Sequence, residues 1–233
     1  MSSRSRALLL RWASSVPSPT RAEVQRQHRL VIAAAVLWTM GVLWVFREVR
    51  GGPRPIWLAA VTSLGAVALA IVALLVAVRR GHSMLGRAKP VLVSVVIGVP
   101  LLLITWKVAA TACAHGTVAA WVGRSGTRCM IVALLDGAGP FVAILWLRRR
   151  SVLEQARWTG ASIGLAAGAI AWALNELRCR PAGVLQVAYL PHFLLGHVMP
   201  LVMFIGLGVV LARWLSPSWS IANIGRPNRS QSD

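Results

Sequence analysis

The chain has 233 residues, of which 57% are hydrophobic and 13% charged, and its formal net charge is +19. A soluble domain this apolar would be hard to keep dispersed, and basic residues scattered over short connections do not make a nucleic-acid-binding module, so no direct nucleic-acid contact is expected. Only six residues are acidic. No nucleophile elbow, phosphate loop, zinc-protease helix or pair of catalytic acids is present, so the pattern does not point to an enzyme.

The elements follow in chain order. Ala7–Trp12 is a short apolar patch among arginines, readable as an interfacial foot on anionic lipid or as a docking peptide for a cytoplasmic partner. Ser14–Thr20 breaks it, and Thr20-Arg21-Ala22-Glu23 matches a capping box, in which Thr20 and Glu23 satisfy each other's free amides at a helix start. Six apolar runs come next: Leu30–Phe46, Ile56–Val78, Val91–Ala112, Cys129–Leu147, Thr159–Leu174 and Leu190–Ala212. Each is near the ~20 residues a helix needs to cross ~30 Å of hydrocarbon. Backbone polar groups must be satisfied internally in lipid, and the runs lack the alternation of a barrel. The expected fold is all-α, a polytopic six-helix transmembrane bundle. Its parts are a basic segment over 1–29, the bundle over 30–212, and a Ser/Pro/Asn-rich tail over 213–233 expected to be disordered. The first run starts late and no small-x-small site follows it, so a cleaved signal peptide is not expected.

Lysine and arginine set the orientation. The N-terminal segment, the second and fourth connections and the tail together hold 17 of the 25 basic residues. The positive-inside rule places that side, with both termini, in the cytoplasm. Trp44, Trp57, Trp106, Trp121 and Trp172 then fall near the outer boundary, and Trp146, Trp158 and Trp214 near the inner one, as an aromatic belt requires.

On this topology Cys113, Cys129, Cys179, His115, His192 and His197 all gather at the outer face. There, thiols pair or bind soft metals. The plain reading is a disulfide stapling outer loops with polar histidines at an interface; the sharper one is a thiol- or metal-responsive site. His192 and His197 are five apart, which on a regular helix turns them ~140° from one another, so one metal would not easily take both. No Cys-x-x-Cys is present. Lys107 and Asp136 sit ~9 and ~10 Å below the outer ends of their runs at 1.5 Å per residue, so a buried ion pair between them is expected. Gly160, Gly164 and Gly168 form a small-residue stripe, expected to serve packing within the chain.

The stretch containing Cys129, Pro140, Arg148-Arg149, Thr159-Gly160-Ala161, Gly164, Gly168, Cys179, His192 and His197-Val198-Met199-Pro200 resembles the NrsF family, six-span bacterial negative regulators of extracytoplasmic-function sigma factors. Pro17-Ser18-Pro19-Thr20-Arg21 is also similar to that family. The resemblance covers most of the chain and is most pointed from Cys129 to about Pro200. It implies an inner-membrane protein that holds a cytoplasmic sigma factor through short segments and releases it when outer cysteines meet a metal or oxidant. Cys129 and Cys179 match the family's outer cysteines, while Cys113 and His115 have no clear counterpart. No resident cofactor is implied beyond a transient soft metal ion at the cysteines, and membrane lipids are the other partner. Cys129 and Cys179 flank neighbouring runs and are expected close to His192. Two other classes stay open: a scaffold with a stabilising outer disulfide, and a small transporter using Asp136 and the histidines.

Overall fold

The computed structural model describes residues 21–46, 56–78, 88–112, 126–148, 155–178 and 190–215; the basic segment before Arg21 and the tail after Leu215 lie outside them. Among the described residues the chain is helical throughout. Helix α1 spans Arg21–Val45, and Thr20, the first residue of the expected capping box, lies outside the described residues. It is followed by α2 (Ile56–Val78), α3 (Lys89–Ala112), α4 (Gly126–Arg148) and α5 (Ala156–Arg178). Pro90 falls in the first turn of α3, where its missing N–H costs nothing. The last rod, α6, comprises Leu190–Phe193, a π turn at Leu194–Val198, and Met199–Leu215.

Five of these helices are long and apolar enough to cross a membrane: α1, α2, α3, α4 and α6. The expected fifth span, α5, falls short of that apolarity. The reason lies in its position. It packs against α2, α3, α4 and α6, and 16 of its 23 residues are buried, so its surroundings are other helices. Small side chains make this possible. Ala66, Ala70, Ala73 and Ala77 give α2 a flat face in the same buried cluster as Ala166, Ala167, Ala169 and Ala173 of α5.

The glycine stripe faces α6. A Cβ on Gly160 would overlap the Gly208 carbonyl, one on Gly164 the Phe204 carbonyl, and one on Gly168 would meet Leu201. Two backbones in such contact gain dispersion and cost little side-chain entropy, which is how helices associate without a hydrophobic drive. Helix α1 is peripheral and packs chiefly on α4. Trp38 lies over Gly139, where any Cβ would strike the indole, and its Nε1 donates to the Leu135 carbonyl at 2.7 Å.

Candidate functional site

The end of the bundle where α3 and α5 finish and α4 and α6 begin holds a buried polar cluster. Its hub is the last turn of α5. Asn175, Glu176 and Arg178 follow one another around the helix, and each reaches a different neighbour. Toward α3, Lys107 Nζ donates to Glu176 Oε2 at 2.6 Å, with both side chains 1% exposed. Toward α4, the Arg178 guanidinium donates to both oxygens of Asp136 at 2.5 and 3.2 Å. Two cations thus meet two carboxylates, which is how charge is tolerated away from water.

The expected Lys107–Asp136 pair is not the one formed. Helices α3 and α4 each pack on α5 and make no substantial contact with one another. Helix α5 stands between them and supplies each with an oppositely charged partner. Asn175, Glu176 and Arg178 were missed because the fifth apolar run was closed at Leu174, its last apolar residue. The available signal was the length of the helix, since Asn-Glu-Leu-Arg continues the turn without a breaker.

The start of α6 is shaped by proline. Pro191 sits in the first turn, and Pro200 has no N–H to give the Gly196 carbonyl four residues before it. The helix widens there: Met199 N–H bonds to the Leu194 carbonyl, five residues back. Asn175 Nδ2 donates to the Gly196 carbonyl at 3.1 Å. The π turn also corrects the expected divergence of the histidines. In an i→i+5 turn, residues five apart stack rather than diverge. The His192 and His197 rings accordingly lie 5.9 Å apart, centroid to centroid. His197 packs against Trp172 at 5.4 Å and places Nδ1 3.8 Å from Glu176 Oε1. Trp172 is therefore a buried part of this cluster and not a member of the outer aromatic belt.

Cys129, one turn into α4, borders the same place. A Cβ built on Gly196 would have Cys129 Cβ at 2.9 Å and His192 Nε2 at 3.8 Å, so thiol and imidazole flank one glycine. Cys113, His115 and Cys179 lie outside the described residues. Among the described residues, no three His, Cys, Asp or Glu side chains are placed to hold a metal ion. The arrangement brings one thiol, two imidazoles and two ion pairs to one end of the bundle. Bulk or charge added at Cys129 would press on the π turn.

Comparison with known families places this geometry. The family model NrsF, described as negative regulator of sigma F, matches residues 12–216. No curated protein and no solved structure matches the chain.

Proposed function

The chain belongs to the NrsF family, negative regulators of sigma F, and on that premise we propose that it is a bacterial inner-membrane anti-sigma factor. The observation that carries this reading is the extent of the match, from Trp12 through all six helices to residue 216. On this reading the basic side of the bundle, with both termini, faces the cytoplasm, as the distribution of arginine favours. Helix α5 is the sixth span, shielded from lipid by its neighbours. The chain restrains an extracytoplasmic-function sigma factor through its short cytoplasmic segments.

The polar cluster is then at the outer end. Cys129, together with Cys179, is the point at which an oxidant or soft metal acts. Its position supports the role. Cys129 is on α4, which also carries Asp136, docks α1 and abuts the π turn of α6. A change at the thiol alters the fit of α4 against α6. The cytoplasmic segments respond only insofar as the signal binds the two arrangements of the bundle unequally.

The test is affinity purification of the full chain from bacterial membranes, followed by identification of bound proteins. A sigma factor should co-purify and be lost on treatment with oxidant or heavy metal. In the Cys129→Ser/Cys179→Ser variant it should stay bound. Absence of any sigma factor in the wild-type eluate would sink the anti-sigma reading. Normal release from the serine variant would leave that reading intact and remove the cysteines as sensors.

A further inference from the structure

Three rings and one carboxylate surround His197, whose side chain is fully buried. The Trp172 ring lies 5.4 Å from it, Phe193 stacks on it at 6.1 Å, and His192 stands 5.9 Å away. Glu176 Oε1 approaches Nδ1 to 3.8 Å, beyond hydrogen-bond reach but close enough for an ion pair once the ring carries a proton. The other carboxylate oxygen, Oε2, takes the Lys107 ammonium at 2.6 Å. One anion therefore stands between a cation on α3 and an imidazole on α6 that becomes a cation only in acid.

Imidazole is the side chain whose charge ordinarily changes between about pH 5 and pH 8. The other charged or titratable groups on the elements packed around His197 are Glu176 and Arg178 of α5, Arg128, Cys129 and Asp136 of α4, Lys107 of α3, and His192 of α6 itself. Asp136 is held by Arg178, and Arg128 is exposed. Glu176 is thus the carboxylate placed to answer a positive charge on His197. Trp172 adds its ring, inside the ~6 Å over which an aromatic attracts a cation. Lys107 and the cost of burying a second cation act against the proton. Once it is bound, the 3.8 Å approach becomes a charge-assisted contact, and Glu176 has to divide itself between α3 and α6.

We propose that His197 is an acid-sensitive switch: in its protonated form it shares Glu176 with Lys107, tightening α6 on α5 and loosening the hold of α5 on α3. Acid is thereby an input separate from the cysteines. That the proton arrives from outside the cell rests on the orientation proposed above; the switch itself depends neither on that orientation nor on the sigma factor.

The full chain is purified in mild detergent and its tryptophan emission followed from about pH 8 to about pH 5. A charged imidazole against an indole quenches it, so emission should fall in a step as acid is added. His197→Asn and Trp172→Phe should each abolish that step, and His192→Asn should keep it. The sharing of Glu176 is read separately in Lys107→Met, which strands the carboxylate at neutral pH. Acid should restore about half or more of the heat stability this variant loses, because protonated His197 stands in for the missing ammonium. In Lys107→Met/His197→Asn that rescue should vanish. A wild type without the step, or a step that follows His192 instead of His197, overturns the proposal. So does a rescue that survives His197→Asn, because the proton would then sit on Glu176 itself. If Lys107→Met does not fold, the emission step decides alone.

Discussion

Lys107 and Glu176 are each 1% exposed, so removing either charge strands the other in a medium that cannot solvate it. Lys107→Met should cost about 3–5 kcal/mol, read as a loss of folded monomer on heating in detergent. Lys107→Met/Glu176→Leu should recover much of that loss, whereas Lys107→Met/Asp136→Asn should come closer to additive. Stronger coupling of Lys107 to Asp136 than to Glu176 would contradict the pairing described. At this scale, the need of Lys107 and Asp136 for a charged partner was legible from the sequence, and the identity of that partner was not. Rise per residue gives a level along a helix, but the direction of a side chain matters only once the neighbouring helices are known. Glu176 and Arg178 were hidden for a further reason. An apolar run is naturally closed at its first polar residue, yet here the polar residues complete the helix because α3 and α4 satisfy them.

Among the elements, the contact between α5 and α6 depends on glycine where backbones meet. A Cβ on Gly164 would overlap the Phe204 carbonyl, while one on Gly206 would meet nothing within 4 Å. Gly164→Ala should therefore reduce the folded fraction by the ~1–3 kcal/mol of an overpacked contact, and Gly206→Ala should be neutral or mildly stabilising. Similar thermal shifts for the two would remove the close approach as an explanation. The stripe was readable from its four-residue spacing. The π turn was not, although its cause was in view: Pro200 deprives Gly196 of a donor, and the histidines then turn toward one another. Asn175→Leu should cost about 1–3 kcal/mol by leaving the Gly196 carbonyl unsatisfied. In a Pro200→Ala background, where an N–H is again available, the same change should cost less. Equal costs in both backgrounds, from thermal unfolding, would mean that Asn175 does not stand in for the missing donor.

For the whole molecule, the arginine asymmetry gives a topology that can be tested directly. Reporter fusions after Arg80 and after Arg149 should be cytoplasmic, and fusions near Thr117 external. External labelling of the Arg148–Arg150 connection would invert the proposed sensor and partner faces together. Six helices were legible from six apolar runs, but their unequal character was not, because hydropathy reports what faces lipid and α5 faces protein. On the proposed six-span topology, that difference sets an order of assembly. During synthesis, α5 reaches the bilayer after α1 to α4. Lipid offers Glu176 and Arg178 nothing, while Lys107 and Asp136 are already waiting on α3 and α4. Its entry is a docking event onto helices already made, not an independent partition into hydrocarbon. Until α6 emerges, the glycine stripe stays uncovered and the Gly196 carbonyl does not yet exist for Asn175 to bind. The last helix is thus the step that commits the bundle, and a ribosome stalled before Leu190 would leave five helices without the surface that locks them.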